Sequence, residues 1–207
     1  MTNKLRNMIV SLVLVGAASA AVAQSSGLVG ERYGAFDLGY VDFKHADIRS
    51  AGVELNVPSS IKGLDLSIAA GYGDYDFDFD GLDVRAWSIS AAATGYMEFD
   101  KGIKGFVTGR IGYEDEDVDY LSYTYTGRKN SFFYDVSTGV EIPYSEKGAI
   151  ILALGCYDYT EWDEGAGYYG TIGANYWFNK TVGVRGSYTR DFDEDSNGFK
   201  LGVVFRY

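Results

Sequence analysis

Cysteine, histidine and proline are nearly missing from this chain of 207 residues, which has one Cys, one His and two Pro. The lone Cys156 excludes an intramolecular disulfide, so no covalent framework can hold the fold. Basic residues are in deficit, with 18 Lys and Arg against 29 Asp and Glu and a formal charge of −11, which disfavours nucleic acid as a partner. Past the N-terminal segment no apolar run approaches the ~20 residues that a membrane-spanning helix needs. What the chain does have is 27 glycines and 18 tyrosines. Many glycines and aromatics with so little proline point away from helices and towards an all-β chain rich in tight turns.

Lys4 and Arg6, the apolar run over residues 8–18, and Ala21-Val22-Ala23 before Gln24 read together as a secretory signal peptide over residues 1–23. Its removal takes two basic and no acidic residues, leaving a formal charge of −13. Residues 24–207 then make one domain by length, with no Pro/Ser-rich linker to divide it. Ala153-Leu154-Gly155-Cys156 has the form of a lipoprotein box but lies mid-chain, so Cys156 reads as a small apolar wall residue.

Read with a period of two, residues 33–43 make a first strand, with Phe36, Leu38 and Tyr40 on one face and Asp37 and Gly39 on the other. A polar turn at residues 45–50 leads to a second, where Val53, Leu55 and Val57 alternate with Glu54 and Asn56 until Pro58 ends it. Leu64, Leu66, Ile68, Ala70 and Tyr72 mark the third, which runs into the acidic residues 74–81. Trp87, Ile89, Ala91, Ala93, Met97 and Phe99 share a face of the fourth, and Val107, Gly109, Ile111 and Tyr113 a face of the fifth. Residues 114–130 read as a long polar loop, acidic at first, tyrosine-rich in the middle and basic at Arg128 and Lys129. Tyr134, Val136, Thr138, Val140 and Ile142 give a sixth strand ending at Pro143. Residues 150–157, 171–178 and 182–189 give three more. The last runs over residues 199–207, with Phe199, Leu201, Val203, Phe205 and Tyr207 on one unbroken apolar face and Lys200, Gly202, Val204 and Arg206 on the other.

Charges inside the strands, among them Asp37, Arg110, Asp135, Glu141, Arg185 and Lys200, all fall opposite the apolar face. The rest of that polar face is Gly, Ser, Thr and Ala, which suits a confined lumen better than a solvated exterior. Short connections at residues 58–62, 100–102, 143–148 and 179–180 alternate with mostly longer, acidic ones. Aromatics gather near strand ends: Tyr40, Tyr72, Trp87, Tyr113, Tyr134 and Tyr188 at one side, Phe99, Phe178 and Tyr207 at the other, as in two interfacial girdles. With its terminal apolar strand, the chain resembles the small bacterial outer-membrane β-barrels, porin-like or OmpA-like, over the whole of residues 24–207. That resemblance implies a closed, antiparallel, up-and-down transmembrane barrel in the cell outer membrane. The count is ten strands, or eight if the first hairpin lies outside the wall. The resemblance also implies outer-membrane lipid and lipopolysaccharide as surroundings. It further implies a final strand, carrying Phe199, Leu201, Val203, Phe205 and Tyr207, that the barrel assembly machinery reads and that closes the sheet against the first.

Chemistry is thinly specified. Asp76-x-Asp78-x-Asp80-Gly81 and Asp193-x-Asp195-x-Asn197-Gly198 imitate the start of an EF-hand loop, but position 12 falls on Trp87 and Val204 where a bidentate Glu is required. His45 lies near Asp47, Asp74 and Asp76 in the expected layout, yet no motif supplies a positioned partner for general-base catalysis, so no enzyme is expected. No catalytic residue, cofactor site or metal site is assigned. Arg110 lies eight positions after Gly102 and Asp135 eight before Pro143, so the two should meet at one height as a lumen ion pair, with Asp37, Glu141, Arg185 and Lys200 in further polar contacts. Phe133, Tyr157 and Trp177 should fill part of the interior. The expected role is therefore a porin-like or structural outer-membrane barrel with a narrow or largely filled polar lumen. The alternative is a surface adhesin or receptor using the loop with Tyr120, Tyr123, Tyr125, Arg128 and Lys129.

Overall fold

Strands that alternate apolar and polar side chains present one face to each of two environments. In the computed structural model both environments are supplied by closing the sheet on itself. The structure describes residues 28–43, 46–77, 82–120, 125–160 and 166–207; the expected signal peptide and His45 lie outside these. The described residues form ten strands: β1 (Tyr33–Phe43), β2 (Ala46–Pro58), β3 (Leu64–Phe77), β4 (Leu82–Glu98), β5 (Lys104–Tyr120), β6 (Tyr125–Ser145), β7 (Gly148–Tyr159), β8 (Gly167–Trp177), β9 (Val182–Asp191) and β10 (Ser196–Arg206). Each pairs antiparallel with its neighbours in sequence, and β10 pairs with β1 to close the barrel. The closing ladder sets Phe36 opposite Val203, Leu38 opposite Leu201 and Tyr40 opposite Phe199. The first hairpin is part of the wall, so the barrel has ten strands and not eight.

Each strand turns an apolar face outward. Phe36, Leu38, Leu55, Ile68, Ile89, Ile111, Leu154 and Leu201 are all exposed. An apolar belt of this extent around a whole molecule is unusual in water and is what a bilayer solvates. Exposed aromatics border it. Trp87, Tyr113 and Phe132 pack in a row with ring centroids 5.8 and 5.2 Å apart, and Tyr188 packs on Phe199 at 5.1 Å. Phe99, Phe178 and Tyr207 are exposed at the opposite, short-turn end.

Three expectations about the connections fail, each for a physical reason. Residues 46–50 belong to β2 and not to a turn, because Ile48 fills the interior and the ladder sets Arg49 opposite Asp74. Residues 114–120 and 125–130 continue β5 and β6 instead of forming a loop. Here the register offsets the charges: Asp117 stands between Arg85 and Arg128, and Glu116 opposite Lys129. Acids that read as a loop in isolation thus stand in a sheet whose register sets bases opposite two of them. Pro143 does not end β6, which runs on to Ser145; the missing N–H is absorbed by a register shift between Pro143 and Ser145.

One row of the register summarises this pairing: Arg49, Asp74, Arg85, Asp117 and Arg128 occupy successive strands in alternating sign. Replacing Arg85 with Glu sets a like charge beside both Asp74 and Asp117, at roughly 1 kcal/mol in total. Amide hydrogen exchange of residues 115–119 should then be about fivefold faster, with the lower wall unchanged. The closing ladder makes a second prediction. Deleting residues 205–207 removes the pairing of Phe205 with Gly34 and of Arg206 with Tyr33. The truncated chain should fail to assemble, seen as loss of the heat-modifiable, compact band on an electrophoresis gel.

Candidate functional site

Small ring circumference and large inward side chains leave the lumen crowded. Asp37, Glu54, Arg110, Asp135, Glu141 and Arg185 are all buried there, and Lys200 is nearly so. On one wall the Arg185 guanidinium reaches two carboxylates. Its Nε donates to Asp37 at 2.8 Å, and its Nη2 donates to Asp37 at 2.5 Å and to Glu54 at 2.8 Å. The Tyr33 hydroxyl donates to the other Glu54 oxygen at 2.7 Å, and the Lys200 ammonium lies 4.0 Å from Asp37. Between Arg185 and Asp37 the ladder places Gly202 of β10. A Cβ there would collide with the Asp37 carboxylate, so glycine is what lets the two charges meet across an intervening strand.

The facing wall uses the same device with tyrosines. Arg110 stands directly opposite Asp135 in the β5–β6 ladder. Tyr169 donates from its hydroxyl to Asp135 at 2.6 Å, its ring lying where a Cβ on Gly155 would be. Tyr157 donates to Asp191 at 2.5 Å over Gly167 in the same way. Thr94 and Thr108, and Thr171 and Thr189, share hydroxyl hydrogen bonds of 2.9 Å. Phe133, Tyr157 and Trp177 are buried inside.

The short-turn mouth is filled by a feature with no expectation behind it. Residues 28–32 fold back into the opening before β1 begins. Leu28 is fully buried with Tyr33, Ala35, Trp177 and Val204, and Val29 packs with Phe106, Ile151 and Ala153. The Val29 N–H donates to Glu141 at 3.3 Å, its carbonyl accepts from Lys104, and the Gly30 N–H donates to Asp65 at 2.6 Å. Gly30 sits at φ +85° against the Tyr96 hydroxyl, where a side chain would be strained and blocked. Glu31 lies 3.3 Å from Arg206, whose guanidinium stacks 3.8 Å from the Trp177 ring. Glu141 and Lys104 therefore hold the strap. An apolar pair such as Leu28-Val29 is too short to carry periodicity, which is why the sequence does not announce it. Glu54 was foreseeable as a lumen charge but not as the partner of Arg185, because that contact spans two strands and needs the closed register.

The acidic motifs serve other ends. Asp193 accepts from the Tyr168 N–H at 2.6 Å, Asp195 from Arg190, and Asn197 from the Tyr188 hydroxyl at 2.6 Å, so this loop uses its acids as turn and girdle partners. Residues 78–81 of the other motif lie outside the described residues. Cys156 is a free, half-buried wall residue on β7.

If Arg185 holds two buried carboxylates apart, removing it alone leaves both uncompensated. Arg185→Met should lose about 3 kcal/mol of stability in urea unfolding from lipid vesicles, and adding Asp37→Asn and Glu54→Gln should restore most of it.

No protein-family model matches the chain, and no curated protein matches it. Solved structures do. The chain is similar to the translocator domain of the autotransporter NalP from Neisseria meningitidis, with a TM-score of 0.52 and 12% identity over 98% of each chain. It is similar also to the beta domain of the Bordetella autotransporter Brka, with a TM-score of 0.53 and 12% identity over 86% of this chain and 98% of that one. At such identity the likeness speaks for the fold alone, and the closed wall and its apolar belt agree with it: this chain has the fold of the outer-membrane β-barrels, with a belt that a bilayer solvates.

Proposed function

We propose that this protein is a sealed, structural barrel of the outer membrane and not a diffusion porin. The observation that carries the reading is the strap of residues 28–32, whose Leu28 and Val29 are buried in the mouth that the short turns mark as periplasmic and which Glu141, Lys104 and Asp65 tie there. Above it the Arg185–Asp37–Glu54 cluster and the Tyr157 and Tyr169 bridges occupy the two walls of the same narrow lumen. A path for hydrated solutes has to displace both layers. Lipopolysaccharide at the aromatic girdle and the barrel assembly machinery at β10 complete the proposed surroundings.

A second reading has its own observation. A strand crosses a bilayer with about 9–11 residues, whereas β5 has 17 and β6 has 21. The paired strands therefore continue well past the girdle as far as Tyr120 and Tyr125, and on this reading the hairpin is a recognition element at the cell surface.

Planar-bilayer recording of the purified, heat-modifiable protein separates sealed from porin-like. The sealed barrel gives no steady conductance steps, and a variant with Val29→Asp and Leu28→Asp, which expels the strap, gives steps. Steady conductance of the unaltered protein would count against the sealed reading and leave the fold untouched.

A further inference from the structure

We propose that the external half of the lumen holds one monovalent cation, either an inorganic ion or the head of a primary ammonium, on the Glu114 carboxylate. Glu114 is only 4% exposed, and its Oε1 has no hydrogen-bond partner among the described residues. The other inward acids are answered: Asp37 and Glu54 by Arg185, Asp135 by Tyr169, Asp191 by Tyr157, and Glu141 by the strap. Glu116, two residues along, has Lys129 opposite it in the ladder. Glu114 instead stands between Ser88 and Ser131, both neutral.

A buried carboxylate oxygen without a donor is costly unless a proton or a cation joins it. The surroundings favour the cation. Glu114 lines a cavity of about 50 Å³ with Tyr75, Ser50 and Ser88, and Lys200, Asp37 and Glu54 form part of the same lining, the two carboxylates already held by Arg185. That volume takes a desolvated monovalent ion with a water, or one ammonium head, and the serine and tyrosine hydroxyls offer neutral oxygens. A divalent ion is the poorer fit, since it calls for several carboxylates and no group of three acidic, His or Cys side chains suited to a metal occurs among the described residues. Glu116 on the same face, and the acidic excess of the chain, raise the local concentration of cations at this mouth. The site goes beyond the sealed-barrel reading and stands whether or not the lumen conducts.

The test uses the folded mature protein in detergent, titrated calorimetrically with thallium(I), methylammonium or calcium, with a parallel thermal unfolding series. Saturable binding of one equivalent of thallium(I) or methylammonium is expected, with an unfolding temperature that rises with ligand. Thallium(I) alone binding assigns an inorganic ion, and methylammonium binding assigns an ammonium head. Glu114→Gln should abolish both the binding and the ligand-dependent rise, while Glu98→Gln, at an exposed position, should preserve them. If Glu114→Gln does not assemble, Ser88→Val keeps the carboxylate and fills the cavity, and it should lose binding at least tenfold. Absence of saturable binding by either monovalent probe, equal binding by the Glu114→Gln and parent proteins, or saturation by calcium alone would overturn the proposal.

Discussion

The constraint on which everything else here depends is that a backbone group inside a bilayer has no water to bond. Each unpaired N–H or C=O costs several kcal/mol there, so a sheet that enters a membrane must have no edge. This chain meets the requirement with the ladder from β1 to β10, which joins residues some 165 positions apart in sequence. Once the sheet is closed, side-chain parity has a fixed meaning. Along the membrane-spanning part of the wall, residues in phase with Phe36 on β1 or Leu201 on β10 face lipid, and those in phase with Asp37 or Lys200 face the lumen. A charge in the wrong phase there is exposed to hydrocarbon, so outward charges such as Arg49, Asp74 and Arg85 appear only at and beyond the girdle.

Confinement creates a second problem, because charges gathered in a narrow interior must be answered there. The solution is geometric before it is electrostatic. Neighbouring strands lie about 4.8 Å apart, too close for two long side chains on adjacent strands to point at each other head-on. Partners are instead set two strands apart with glycine between them, as Gly202 lies between Arg185 and Asp37, Gly155 between Tyr169 and Asp135, and Gly167 between Tyr157 and Asp191. The high glycine content that first suggested turns thus has a further cause in the wall itself. Each such glycine is a vacancy over which a long side chain lies, and the lumen is filled by side chains running around the ring.

How far this was legible in the sequence follows from the range of the interactions. Local alternation locates strands, so β1 and the apolar faces of β4 and β10 could be read directly, whereas β7, with Ile151 and Ala153 opposite Ile150, Leu152 and Leu154, is apolar on both faces and left its facing open. Counting from two short turns was enough to set Arg110 opposite Asp135, because both distances lie within one hairpin. Residues 114–130 were not legible, since Glu114, Asp115, Glu116 and Asp117 have loop composition, and the ladders that take them into the wall run to β4 and β6 and leave no local alternation. Pro143 misled in the same direction: a proline stops a ladder locally, but a bulge lets β6 resume. The strap of residues 28–32 and the Arg185–Glu54 pair depend on closure, and no window of sequence contains both sides of either contact.

The placement of the acidic excess completes the picture. At the girdle, acids alternate with arginines from β2 to β6 and the wall is close to neutral. One outward row further on, Asp42, Asp47 and Asp76 follow one another on β1 to β3. Like charges side by side in a ladder are unfavourable, and high-dielectric water makes them tolerable only where the wall has left the bilayer. The change from alternating to uniform sign therefore marks the level at which this barrel leaves the lipid.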